Sequence, residues 1–461
     1  MTTLFDAINQ SGTTANGAVT NLSSLDKVLD LFFLIGASRG KDISHAFIGA
    51  MVSDQDLAVR TLLCARDVRG GAGERDTFRK LFVKLAQYRP ELAVRVLARI
   101  PDLGRWDDVL SAIDTPVEDA AVEMIRVALV EKHDGLAAKW MPRQGVVAGK
   151  LRAKLGYTPK AWRKLLVGLS ATVEQKMCAG EWTKINYEQV PSVAASRYQR
   201  AFGKHDPAGY GEYCTKLKTG EAKIHASVLY PYDVIRSLRD GSASASDAQW
   251  AALPNYLEGN TSNIMPLVDV SGSMDISVSG SVTAMDVAVS LGLYISERTE
   301  GVFKDTFMTF SSNPTMVKVS GTLSERCGQM IDSEWGGSTN LEGAFKTLLA
   351  AAVKHSVPVE QMPATILIMS DMEFNVAVGM PDASLFENIK AKYAAAGYAM
   401  PNLVFWNIAG RAGNVPVRRG TAGVALVSGA SPSILKSVLS GTAIDPEVVV
   451  RETVMVERYN Y

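Results

Sequence analysis

The chain has 461 residues, 47% of them hydrophobic, which is enough for two or three domains with real cores. Its 48 basic side chains are matched by 48 acidic ones, so the formal charge is zero and any nucleic-acid surface must come from local clustering. Cys64, Cys178, Cys214 and Cys327 form no C-x-x-C pair, and the longest apolar run, 28–37, is interrupted by Asp30 and too short to span a bilayer. No disulfide framework, zinc site or membrane span is therefore suggested, and reduced, buried thiols are expected. With no leader pattern at Met1–Ala7, the expectation is a soluble cytoplasmic protein.

Residues 1–24 are rich in Ser, Thr, Asn and Gly and read as a flexible N-terminal arm. From Leu25 to about Leu238 the apolar spacing is helical, which marks a helical domain over 25–260. Leu81, Phe82 and Leu85, then Leu92, Val96 and Leu97, follow the i, i+3, i+4 pattern that lays one stripe on a core. Gly, Pro and Asp mark short loops between successive helices, which suggests an all-α stack of HEAT-like repeats without a clean sequence period. The loop Arg69-Gly-Gly-Ala-Gly73 lacks the Gly-Lys-Ser/Thr ending of a phosphate loop and follows a helix. A helix C-cap and turn explains it better, although Arg66, Arg69 and Arg75 around it could touch an anion.

Between Gly135 and Val173 stand Lys139, Arg143, Lys150, Arg152, Lys154, Lys160, Arg163 and Lys164, with no Asp or Glu. Trp140, Tyr157 and Trp162 are interleaved with them. Cations neutralise phosphates and aromatic faces stack on unpaired bases, so this pattern suits single-stranded or irregular RNA. A solvated helix face with the tryptophans in the core is the competing explanation. Arg197, Arg200, Lys204, Lys216, Lys218 and Lys223 would extend the basic surface.

The small, polar stretch Gly241–Gln249 reads as a linker or surface loop, and a domain boundary is expected near 240–262. Beyond it, apolar strand segments alternate with helical ones. Strands are expected at 305–311, 315–319, 365–369, 403–408 and 424–427, and helices at 284–297, 322–332, 341–354, 384–396 and 431–440. The alternation predicts a doubly wound α/β sheet over 261–461. A last helix is expected within 445–461, packed on either domain.

The first strand of this half, Ile264–Val268, runs into Asp269-Val-Ser-Gly-Ser273. Ligands bind at the carboxyl edge of such sheets. One carboxylate with two hydroxyls suits a hard dication that keeps several waters, Mg²⁺ or else Mn²⁺ or Ca²⁺. Thr339 and Asp371 fall at a loop and a strand end from which they could reach the same point. Helix capping by Ser and Asp is the bland alternative for each piece.

Asp-x-Ser-x-Ser with a distant Thr and a distant Asp resembles the von Willebrand factor A (vWA) domain and its metal-ion-dependent adhesion site. The resemblance implies that Ser271, Ser273 and Thr339 ligate the metal directly, while Asp269 and Asp371 mostly hold its waters. A helical-repeat half followed by a vWA domain further resembles the TROVE family, which includes the Ro ribonucleoprotein, through Asp269-Val-Ser-Gly-Ser-Met274 and Ser370-Asp-Met-Glu-Phe374. Residues 139–239 are similar to an uncharacterised Ro-like family of plants, fungi, bacteria and phages. The likeness implies an RNA-binding protein whose helical ring, closed by the vWA domain, holds small noncoding or misfolded RNA. A metal-dependent module that binds a partner protein's carboxylate is the second reading. Five dispersed histidines, without a metalloprotease, triad or P-loop signature, speak against an enzyme.

Overall fold

A computed structural model describes residues 11–16, 19–170, 172–226, 228–239, 245–260, 263–279, 281–333, 340–374, 383–410, 413–440 and 444–461. Two short strands, β1 (Ser11–Thr13) and β2 (Val19–Asn21), pair antiparallel at the start. Helices then follow one another from Lys27 to Arg239, and the C-terminal part is built on a six-stranded mixed sheet. Its strands are β3 (Asn263–Val268), β6 (Thr306–Thr309), β7 (Met316–Lys318), β8 (Pro363–Ser370), β9 (Asn402–Asn407) and β10 (Val424–Ser428). Between β3 and β6 lies a small hairpin, β4 (Ser277–Ser279) with β5 (Val282–Thr283).

The sheet order is β10-β9-β8-β3-β6-β7, parallel except for β7 at one edge. The chain thus starts mid-sheet and winds outward to both sides, which puts the ends of β3, β8 and β6 side by side. Strands β3 and β8 are apolar and almost wholly buried, as expected for parallel strands covered on both faces. Pro266 sits in central β3 without cost to the ladder. Asp269 N–H turns to β8 and Val268 C=O to β6, so by alternation Pro266 faces β6, which pairs only from Leu267 onward. Helix Ala284–Arg298 buries its whole circumference except its last two residues, packed between the sheet and neighbouring helices. Thr283 starts it with a capping box, its hydroxyl accepting Asp286 N–H at 3.2 Å and Asp286 returning to Thr283 N–H at 3.0 Å.

The helical part touches the α/β part at both of its ends. At one, helix Lys27–Ile35 packs on β10, with Ser428 Oγ donating to Phe32 O (2.7 Å) and Asn407 Nδ2 donating to Phe33 O (3.1 Å). At the other, helix Pro231–Arg239 packs on helix Ala284–Arg298. One continuous core runs through both parts, and a small satellite core forms around Tyr187, Phe202, Tyr210 and Tyr213. The chain therefore closes on itself.

Two expectations need correction. Residues 11–16 and 19–24 are not a loose arm: Asn21 bridges to Val415, and the segment docks on the α/β part. The expected linker is partly folded. Residues 241–244 lie outside the described set, but helix Ser246–Ala251 and the turn after it grip helix Ala284–Arg298, with Trp250 Nε1 donating to Glu297 Oε2 (2.5 Å) and Tyr294 OH donating to Pro254 O (2.6 Å). The C-terminal helix, Pro446–Val454, packs on both parts. Beyond it Arg458 and Tyr459 bind the buried carboxylate of Asp67 in the helical part, at 2.7 Å and 3.1 Å.

The glycine loop at 70–73 is a turn closing helix Gln55–Arg66. Ala72 N–H and Glu74 N–H return to Cys64 O and Ala65 O at 3.1 Å and 2.7 Å. A Cβ on Gly71 would lie 1.8 Å from Cys64 O, so only glycine fits there.

Candidate metal centre and basic surface

Strand β3 delivers Asp269 to the carboxyl edge, and the turn after it folds back so that Asp269 Oδ1 accepts Ser271 N–H at 3.0 Å. Ser271 Oγ and Ser273 Oγ then lie 3.0 Å apart, two hydroxyls converging on one point. From the neighbouring strand β8, Ser370 Oγ donates to Asp269 Oδ2 at 2.7 Å and accepts Met372 N–H at 3.0 Å. Asp371, next in the chain, accepts Glu373 N–H at 3.1 Å. The register that pairs Val268 with Met369 thus sets Asp269 beside Ser370 and Asp371.

Four of the five expected ligands, Asp269, Ser271, Ser273 and Asp371, are brought together in this way. Thr339 lies outside the described residues. Its neighbour Asn340 caps helix Leu341–Lys354 and is tied to the loop after β6, its N–H donating to Ser311 O (3.2 Å) and its Nδ2 to Ser312 O (3.0 Å).

Both carboxylates are buried, Asp269 2% and Asp371 3% exposed. Burial first, and the negative charge of Asp371 second, push the Asp269 carboxyl up to about 6. Burial also raises Asp371, opposed by the Glu373 N–H and the Ser273 hydroxyl. Among the described residues no basic side chain pairs with either acid. Two desolvated carboxylates with hydroxyls and no basic side chain beside them form a centre short of positive charge, which a small dication would supply. Among the described residues no group of three His, Cys, Asp or Glu side chains is placed to hold a metal ion. The donor set is one of hydroxyls and two acids, which fits Mg²⁺ and not zinc.

Sequence reasoning missed the shell behind this centre. Ser370 was visible as the last residue of its strand. The other contacts come from far along the chain. Ala15 N–H donates to Glu373 Oε2, Asn16 Nδ2 to Glu373 O and Thr14 Oγ1 to Phe374 O, each at 2.5 Å. Asn414 Nδ2 donates to Met372 O at 2.6 Å, where Met372 holds a left-handed backbone with φ 64°. The N-terminal segment therefore braces the turn that carries Asp371.

The basic stretch is divided. Lys139 pairs with Glu174 (3.5 Å), Lys150 with Asp114, and Lys154 with Glu118 (3.0 Å) and Asp119 (2.6 Å). Trp162 is fully buried, its Nε1 donating to Pro142 O at 3.0 Å, and the Arg105 guanidinium covers Trp140 at 4.1 Å from the ring centre. The tryptophans are core and clamp residues, so the expected stacking platform is corrected. Arg143, Lys160, Arg163 and Lys164 remain exposed and Arg152 half-buried. None of these five forms an ion pair among the described residues. Arg197, Arg200, Lys204, Lys218 and Lys223 are exposed as well, while Lys216 pairs with Glu212 at 2.7 Å.

Comparison with known proteins bears on the fold. Two family models match, each described as a domain of unknown function: DUF2828 over residues 152–262 and DUF7788 over 263–459. The uncharacterized protein L728 of Acanthamoeba polyphaga mimivirus is 26% identical over 497 aligned positions, which cover 94% of this chain and 85% of that protein. The crystal structure of the Deinococcus radiodurans Ro (RSR) protein superposes with a TM-score of 0.52 at 14% identity, over 94% of this chain and 100% of that one. The chain has a Ro-like fold, a helical part joined to an α/β part. No helix among the described residues is long and apolar enough to cross a membrane.

Proposed function

We propose that this chain is a Ro-like, RNA-binding cytoplasmic protein of HEAT-like repeats and a vWA domain. It holds small structured or single-stranded RNA on exposed cations of the helical part, and its vWA domain holds Mg²⁺. The Ro-like fold is the observation that carries the RNA reading. The unpaired cations Arg143, Arg152, Lys160, Arg163 and Lys164 supply a surface for it. Lys160, Arg163 and Lys164 stand on helix Pro159–Leu169, whose inner face is anchored by Trp162 and Leu166. A rigid helix presenting cations to solvent binds phosphates without sequence selection. No catalytic step is assigned. The test is RNA retention by the intact protein at rising salt: affinity should fall steeply with salt, and the Arg163→Glu/Lys164→Glu variant should lose most of it. Salt-independent or undiminished binding refutes the reading.

In the metal centre, Ser271 and Ser273 would bind Mg²⁺ through their hydroxyls, with Asp269 and Asp371 orienting its waters and Thr339 as the remaining ligand. Mg²⁺ supplies an electrophilic position for an incoming carboxylate or phosphate oxygen. Ser370 fixes the Asp269 carboxylate, as second-layer hydrogen bonds do at metal sites generally. The convergence of Asp269, Ser271, Ser273 and Asp371 beside a reduced basic surface favours one further reading, a metal-dependent contact with a partner protein's Asp or Glu. A pull-down in Mg²⁺ against EDTA tests it. A partner lost on chelation, with no nucleic acid in the eluate, supports protein recognition, and a partner that survives chelation rejects it.

A further inference from the structure

A cavity of about 700 Å³ opens between the turn at 66–77, Gly104–Arg105, Tyr230–Asp233 and the hairpin residues Ser277–Val278. Helix Arg75–Tyr88 begins on its wall, and no side chain caps it. Glu74, in the capping position, is turned to Arg39, whose Nε lies 2.7 Å and 2.8 Å from its two oxygens. The first-turn N–H groups of this helix, with the positive end of its dipole, therefore face the cavity without an acceptor from a cap.

Two hydroxyls on the same wall are also unmatched. Thr77 is 2% exposed, and its Oγ1 has no hydrogen-bond partner. Tyr230 OH is likewise buried and unpartnered, and it lies over Gly73, where φ is +69° and a Cβ would stand 1.7 Å from it. Native interiors leave few such groups, because an unmade hydrogen bond is costly. Charge favours an anion as the missing partner. The wall carries Arg39, Arg66, Arg69, Arg75 and Arg105 beside Glu74, Asp76 and Asp233. Arg39, Arg66 and Arg105 are spent on Glu74, Asp108 and Asp107, which leaves Arg69 and Arg75 exposed. Arg75 makes only a 3.3 Å contact to the exposed Asp76. Tyr230 and Tyr232 stack at 5.4 Å and add an aromatic wall.

We infer that this cavity binds a phosphate monoester of mononucleotide size, its phosphate at the start of helix Arg75–Tyr88 between Thr77 Oγ1 and Arg75, its base along Tyr230. The volume suits such a ligand, and backbone N–H groups at a helix start with an arginine are ordinary phosphate donors. The site is separate from the cations of helix Pro159–Leu169 and does not depend on RNA binding there.

The experiment is calorimetric titration of the full chain with inorganic phosphate, AMP, adenosine, and one short oligoribonucleotide in 5′-phosphorylated and 5′-hydroxyl forms. AMP should bind saturably and at least tenfold more tightly than adenosine. Arg75→Ala should weaken AMP by tenfold or more and Thr77→Val by several-fold, with binding of the 5′-hydroxyl oligonucleotide unchanged. Stronger binding of AMP than of the phosphorylated oligonucleotide identifies a free nucleotide as the source, and the reverse identifies a phosphorylated RNA end. Arg163→Glu/Lys164→Glu should lose RNA and keep AMP, so the two sites fail independently. The inference is overturned if no phosphorylated ligand binds saturably, or if both cavity variants bind as the parent does.

Discussion

The carboxyl edge of the sheet and the basic stretch of the helical part follow opposite logics. At the sheet edge, Asp269 and Asp371 are 102 positions apart, yet the pairing of β3 with β8 sets them side by side. In the basic stretch eight cations are close in sequence, yet the fold pairs three of them with acids, Asp114, Glu118, Asp119 and Glu174, that lie just outside the stretch. Parallel-sheet topology makes convergence of distant residues obligatory. Contiguous charge in helices guarantees nothing, because neighbouring helices bring their own charges.

The hardest test of this contrast is at the sheet edge. Asp269→Ala should abolish Mg²⁺ binding, a loss of at least about 100-fold, since it removes one of two buried acids and frees Ser370 from its partner. The readout is the shift of thermal midpoint on adding Mg²⁺, which should vanish in the variant. An equal shift in both proteins would mean that the centre holds no ion.

Next in size is the free part of the basic stretch. Arg163→Glu/Lys164→Glu should lower RNA affinity by about 10–100-fold and flatten the salt dependence by about 1.4 in slope, each of the two lost phosphate contacts on a single strand contributing about 0.7. Filter binding at four salt concentrations measures both. A drop in affinity with an unchanged slope would show that the variant lost fold rather than phosphate contacts.

A pH series sharpens the electrostatic side. In the metal-free protein the Asp269 carboxyl titrates at about 6, well above its ordinary value, because it is buried beside Asp371. The folded chain then holds a proton that the unfolded chain has released, so this group's contribution to metal-free stability is present at low pH and is lost as pH rises from about 4 to about 6. Mg²⁺ must displace that proton. Its affinity should fall by about tenfold per pH unit below 6 and level off above it, measured by titration calorimetry between pH 5 and 7.5. A flat profile would place the metal away from Asp269.

The fold of the C-terminal part was legible almost element by element, because apolar strands and turn residues alternate without interruption. The helix at 341–354 has the bounds its spacing predicts, and the last strand differs by one residue. Asp269, Ser271, Ser273 and Asp371 were legible for the same reason, each standing at the end of an apolar run. Glu373 was seen but not its role, because its partner Ala15 comes from the segment whose composition reads as loose. No local signal announces that a Ser/Thr/Asn-rich strand will dock 358 residues away. The same limit hid the folded turn at 245–260, whose anchor Trp250 was masked by small neighbours. In the basic stretch, a window ending at Gly135 and Val173 left out the acids that settle its charge.

The smallest expected effect is the most diagnostic. Lys154 contributes as much formal charge as Arg163, and a sequence count treats the two alike. In the fold Lys154 Nζ is already met by Glu118 and Asp119, whose carboxylates raise its affinity for the proton through direct hydrogen bonds. An RNA phosphate would have to displace two carboxylates that the fold already holds in place. Lys154→Ala should therefore leave RNA affinity within about twofold of the parent. Surface ion pairs contribute little to stability, so the thermal midpoint should fall by no more than about 2 °C. If Lys154→Ala instead costs as much affinity as Arg163→Ala, measured side by side at one salt concentration, these ion pairs open on binding. The whole run from Lys139 to Lys164 then acts as the surface that its composition suggests.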